Sequence, residues 1–118
     1  LDFIESNCVK AWRGIGWCSF ISLKYEQAMK YYEKIIEHKP LAIDYMNAGH
    51  VAWVMGNIQK AAGVSGKGNI QKAAVLYGKA IPACGTRERF LEMFHKDEEP
   101  LLKQGIREED IPLMLDLL

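Results

Sequence analysis

Net charge is the first thing missing from these 118 residues: fifteen Lys and Arg stand against fifteen Asp and Glu. Such a balance argues against nucleic acid or an anionic membrane as main partner. No apolar run approaches the roughly 20 residues that a membrane helix needs, and no stretch has the form of a signal peptide. Cysteine is scarce. Cys8, Cys18 and Cys84 are odd in number, far apart and without a CxxC pair, so neither a disulfide framework nor a zinc site is expected. Reduced thiols in the cytoplasm are the simpler reading. The histidines, His38, His50 and His95, have no HxxxH or HExxH spacing, and no Ser, Cys or His sits in a recognisable nucleophile motif. The expectation is a protein without catalytic activity, cofactor, metal or small-molecule substrate.

Residues 63–68, Gly-Val-Ser-Gly-Lys-Gly, approach a phosphate-binding loop. That motif wants a Gly five places before the Gly-Lys pair, a Ser or Thr after it, and a strand ahead. Ala61 and Gly68 occupy those places and the preceding pattern is helical, so a solvated loop is the better account. Alternating strand patterns are missing too.

What is present is helical periodicity. Over residues 9–40, Val9, Trp12, Ile15, Gly16 and Phe20 recur at three- and four-residue steps, and so do Tyr25, Ala28, Met29, Tyr32, Ile35 and Ile36. Each set makes one apolar stripe on a helix, and Pro40 closes the second. Gly16 and Ala28 are small enough to let the two backbones approach, with aromatics filling the space around them.

Trp12 followed by Ile15-Gly16, then Ala28, Tyr32 and Pro40, resembles the signature of the tetratricopeptide repeat, a helix–turn–helix unit of about 34 residues. Ser19 stands where that family usually has Tyr. The register carries over, since Tyr45 and Gly49 lie 33 residues after Trp12 and Gly16. The resemblance implies an all-α fold: repeats stacked as a short right-handed α-solenoid with C-terminal capping helices. Residues 9–41 would be repeat one, 42–82 repeat two, and 83–118 the capping helices. Residues 1–8, which begin without Met, would be the end of a preceding repeat's second helix with its turn, in the C-terminal portion of a longer chain.

Repeat two departs from the pattern. GNIQKAAGVSGK at 56–67 is followed at once by GNIQKAAVLYGK at 68–79, identical at nine of twelve positions. Without one copy, Ala73, Tyr77 and Ala80 stand as far from Gly49 as Ala28, Tyr32 and Ile35 do from Gly16. Twelve residues inserted into one helix would rotate it about a third of a turn out of phase. The expectation is therefore a first helix over 42–55, an enlarged glycine-rich connection over 56–68 with at most a helical turn at 57–62, and a second helix over 69–81. Beyond Pro82, Thr86 is a natural N-cap for a helix over 87–96, and acidic residues at 97–99 and 108–110 suit two further helix starts. Gly105 suits a helix end.

In the family resembled, the first helix of each repeat lines a concave groove that holds a peptide or a partner helix. By that resemblance the groove residues are Lys10, Arg13, Trp17, Phe20 and Ile21, with Ile43, Met46, Asn47, His50, Trp53 and Val54. Members that clamp a C-terminal carboxylate use a basic residue and an Asn. Arg13 and Asn47 fit that pattern, whereas Trp17 stands where a further Asn is expected. An apolar, aromatic groove favours a hydrophobic or helical segment of another protein. The same aromatics would serve equally as core beneath the C-terminal helices. The function implied is a protein–protein interaction scaffold. The alternative is a structural or oligomerisation arm, self-association included, of a larger enzyme or regulator.

Overall fold

The computed structural model describes residues 3–118, so of the N-terminal stretch Leu1 and Asp2 lie outside the described residues. All the described secondary structure is helical: α1 (Phe3–Ile21), α2 (Tyr25–Ile36), α3 (Ala42–Ala61), α4 (Lys67–Cys84), α5 (Arg87–Lys96), α6 (Glu98–Lys103) and α7 (Asp110–Asp116). Among these, α1 packs on α2, α2 on α3, α3 on α4, and α4 on α5, with α1 also touching α3. The molecule measures 44 × 30 × 23 Å along its principal axes.

The first hairpin forms as its stripes dictate. α1 buries Val9, Gly16, Ser19 and Phe20, and α2 buries Ala28, Met29, Tyr32 and Ile35. A Cβ on Gly16 would lie 3.1 Å from the Tyr32 ring. The second hairpin repeats the contact: a Cβ on Gly49 would lie 2.7 Å from the ring of Tyr77. Ala28 and Ala73, one per hairpin, are both fully buried. Glycine is thus the only residue that leaves each tyrosine its place.

Two boundaries differ from the expectation. Residues 3–8 do not form a separate helix end and turn; they are the first turns of α1, which runs unbroken to Ile21. The duplicated segment is not one long connection either. Its first copy carries α3 on to Ala61 and ends on Lys67, the first residue of α4; the second copy continues α4 from Gly68, and only residues 62–66 lie between the two helices. The phase argument holds for an insert within one helix. Shared between the free ends of two antiparallel helices, the extra residues leave the helix below them in register, and Tyr77 and Ala80 remain fully buried. The added turns are stitched together. Asn69 Nδ2 donates to Gln59 Oε1 at 3.0 Å, and Gly66 sits so close to Gly56 that a Cβ there would meet the Gly56 carbonyl oxygen at 2.0 Å.

α4 also passes through Pro82 to Cys84. A proline inside a helix removes the donor for the carbonyl four residues back; that residue, Gly78, is exposed, where water can replace the bond. Gly85, at φ +98°, then ends the helix. The C-terminal helices follow their sequence signals. Thr86 Oγ1 accepts the Arg89 N–H at 3.2 Å and caps α5. Gly105, at φ +100°, ends α6 with Gly105 N–H to Leu102 O and Ile106 N–H to Leu101 O, both 3.1 Å. That is a Schellman pattern, and its apolar partners Leu101 and Ile106 are both buried.

Candidate functional site

An open groove of about 460 Å³ runs between α1 and α3, lined by Lys10, Arg13, Gly14 and Trp17 from α1, Ile43 and Asn47 from α3, and Asp97 after α5. A second hollow of about 360 Å³ shares Ile43 and Asp97 with it and adds Leu41, Ala42, Met46, Met93 and Lys96. Together they form one continuous trough.

Of the eleven residues expected in the groove, Lys10, Arg13, Trp17, Ile43 and Asn47 line the first hollow and Met46 the second. The others are elsewhere. Ile21 is exposed at the end of α1 and borders neither hollow. Phe20, His50, Trp53 and Val54 are buried core, and the C-terminal segment packs on His50 and Trp53 and bonds the backbone of Phe20. Gln104, just past α6, donates through Nε2 to Phe20 O at 3.2 Å and accepts the Tyr25 hydroxyl through Oε1. On α5, Phe94 stacks on Trp53 with ring centroids 6.3 Å apart and meets His50 and Tyr77 edge-on. The lower half of the expected groove is therefore filled by this chain.

Arg13 is not free to clamp a ligand carboxylate. Its Nε and Nη2 donate at 2.6 and 2.8 Å to the two oxygens of Asp44, a fork-to-fork pair. Asp44 is fully buried and also accepts the Leu41 N–H at 2.8 Å, tying down the start of α3. That hydrogen-bonded carboxylate raises the Arg13 pKa further, against a smaller opposing effect of burial.

His50 has the opposite surroundings to a groove residue. Its Nδ1 lies 2.6 Å from the Tyr77 hydroxyl and its Nε2 lies 3.0 Å from Asp97 Oδ2. Burial first, and the charge of Asp97 second, push the Tyr77 pKa well up. The hydroxyl therefore keeps its proton and donates to Nδ1, and Nε2–H donates to Asp97, an assignment made from the bonding network. A carboxylate, an imidazole and a hydroxyl in line resemble a hydrolytic relay. Here Tyr77 is fully buried, so its hydroxyl meets no substrate, and the relay is a polar strut joining α3, α4 and the end of α5. Sequence spacing hides it, since Asp97 lies 47 residues from His50. The acidic run at 97–99 reads as a helix start, yet the Asp97 side chain makes no capping bond.

Tyr32 is held protonated as well: burial comes first and the charge of Asp44 second, with Asn47 pulling slightly the other way. Asn47 is near enough to act on its ionisation, yet no hydrogen bond of ordinary geometry joins them, and the Tyr32 hydroxyl and Asn47 Oδ1 are both without partners. Free tyrosine ionises near pH 10. Above about that pH the unfolded chain holds fewer protons than the folded one at both positions, so stability falls as pH rises. Below it both contributions are fully present. Each tyrosine should add a loss of up to about 1.4 kcal/mol per pH unit. Urea unfolding at a series of alkaline pH values checks this: Tyr77→Phe should flatten the decline, and an unchanged slope would refute the role given to Tyr77.

Among the described residues no group of three His, Cys, Asp or Glu side chains could hold a metal ion. No helix of the described residues is long and apolar enough to cross a membrane. Compared with known proteins, the chain matches no family model, no curated protein and no solved structure.

Proposed function

We propose that this chain is a helical-repeat adaptor of the tetratricopeptide type, which holds an apolar, helical segment of another protein in the trough between α1, α3 and α5. Its two hairpins are read as repeats of a right-handed α-solenoid, with α5–α7 closing one end. The Gly16–Tyr32 and Gly49–Tyr77 contacts, repeated at corresponding positions of each hairpin, support that reading. The three unpaired thiols would stay reduced in the cytoplasm, which is where the proposal places the protein.

One observation carries the ligand class. The half-exposed Trp17 and the exposed Ile43 line the same hollow, whereas the guanidinium beside them is already neutralised by Asp44. The trough therefore offers apolar surface and an aromatic anchor, and its arginine is already paired, which suits the apolar face of a helix. Selection from a displayed library of amphipathic helical peptides tests this. The binders should shift Trp17 fluorescence to the blue. Their affinity should fall at least about tenfold with Trp17→Ala and with Ile43→Glu, roughly 1.4 kcal/mol each. Binders indifferent to both changes would place the binding surface elsewhere.

A further inference from the structure

The charges along the trough narrow its occupant to one kind of helix, provided that the trough is the binding surface. We propose that the bound segment carries an arginine at the middle of its contact, seated where the two hollows meet, and acidic residues toward its ends. Ile43 and Asp97 mark the meeting point, since they line both hollows.

Asp97 is the unbalanced charge at that point. Its Oδ2 accepts the His50 Nε2–H at 3.0 Å, and His50 is neutral, because its Nδ1 takes a hydrogen bond from Tyr77. Among the described residues Oδ1 has no hydrogen-bond partner, and the side chain is 21% exposed. Arg13 does not balance it, because both of its bonds go to Asp44. A carboxylate partly sheltered from water, with one oxygen open, is a place for a cation.

Two neighbours in the first hollow favour a guanidinium over an ammonium. Half-exposed Trp17 offers a ring face on which a planar guanidinium stacks. Asn47 is only 7% exposed and its Oδ1 accepts no hydrogen bond, a costly state for a buried acceptor. The last torsion of an asparagine is broad, so the amide can turn that oxygen to the hollow. The guanidinium then gives one N–H to Asp97 Oδ1 and another to Asn47 Oδ1, with its flat face on the indole. An ammonium has donors but lacks the flat face.

The ends of the trough carry the opposite sign. Lys10 borders the first hollow alone and Lys96 the second alone. Both are exposed, and neither has an ion-pair partner among the described residues. The trough thus runs positive, negative, positive, and the complementary strip on a helix is acidic, basic, acidic.

Peptides selected from the displayed helical library test this on the full chain. Those whose binding depends on Trp17 and Ile43 should carry an arginine at mid-contact, with Asp or Glu toward both ends. In the tightest of them, exchanging that arginine for citrulline keeps the shape and removes the charge. Affinity should fall at least about tenfold. On the Asp97→Asn chain the same exchange should change affinity less than about twofold, because the charge it met is gone. Asparagine keeps an oxygen for His50, and helical circular dichroism checks that the variant folds. Should it not fold, Lys10→Glu and Lys96→Glu still decide, since both positions are exposed. Each should weaken the acid-ended peptide at least about threefold and strengthen the same peptide given lysine ends. Trough-dependent binders without a central arginine, or an equal citrulline penalty on parent and Asp97→Asn chains, would overturn the proposal and leave the trough reading standing. So would lysine variants that bind both forms of the peptide as the parent does. A library without any binder that depends on Trp17 and Ile43 would sink both.

Discussion

Replacing Arg13 by methionine is expected to lower folding stability by about 3 kcal/mol, at the modest end of what breaking a buried ion pair costs because Arg13 itself is partly exposed. The physics lies with the partner. Asp44 is fully buried and receives two of its three hydrogen bonds from the guanidinium, the third coming from the Leu41 N–H. Methionine keeps much of the stem's packing but leaves a buried carboxylate with a single donor. Adding Asp44→Asn to Arg13→Met should recover part of the loss, since the uncompensated charge is then gone. Urea unfolding of both single variants and the double variant gives the coupling directly. The experiment also separates two roles for Arg13. A ligand-binding arginine would lose affinity on substitution with little change in stability. A loss in stability under about 0.5 kcal/mol, within the ordinary scatter of surface substitutions, would refute the structural role.

Gly49→Ala is expected to cost about 2–3 kcal/mol, and Gly16→Ala about 1 kcal/mol or less, although the two glycines occupy corresponding positions. The difference follows from whether the facing tyrosine can move. Gly49 needs the Tyr77 ring, at 2.7 Å from the new Cβ, to retreat. Tyr77 is wedged among His50, Trp53, Phe90 and Phe94, and its hydroxyl is bonded to His50. Gly16 asks less of Tyr32, whose contact would be 3.1 Å and whose hydroxyl has no partner to lose. The melting temperatures of the two alanine variants decide it. Equal losses would mean that the polar strut does not hold Tyr77 in place.

Features that depend on near neighbours were legible in the sequence. The α2 stripe, the Thr86 cap, the Gly105 helix end and the small residues Gly16 and Ala28 at the hairpin contact all come from spacings of a few residues or from a repeated register. The extent of α1 was not legible, because nothing in residues 3–8 opposes a helix and the resemblance suggested a turn there. The fate of the duplication turned on a choice between one helix and two, which phase alone does not make. The trough was read too long for a different reason. Phe20, His50 and Trp53 belong to an aromatic stripe that either a ligand or the chain itself can cover, and the covering groups, Gln104 and Phe94, lie far along the sequence. Asp97 was missed as a partner because the acidic run at 97–99 looks sufficient as a helix start, and Asp44 because its partner Arg13 lies 31 residues away.

The way the duplicated segment divides between α3 and α4 has a consequence for how such a chain can vary. A hairpin has one place where length is free, its tip, because residues added there displace nothing below them. Growth at the tip behaves like extending both rails of a ladder at once: any rung already in place stays where it was. The tip of α3–α4 is therefore a site at which whole helical turns can be gained or lost while the Gly49–Tyr77 contact and the trough persist. What such changes alter is reach, since each added pair of turns carries fresh side chains, here Ile58 and Val64, further out along the hairpin.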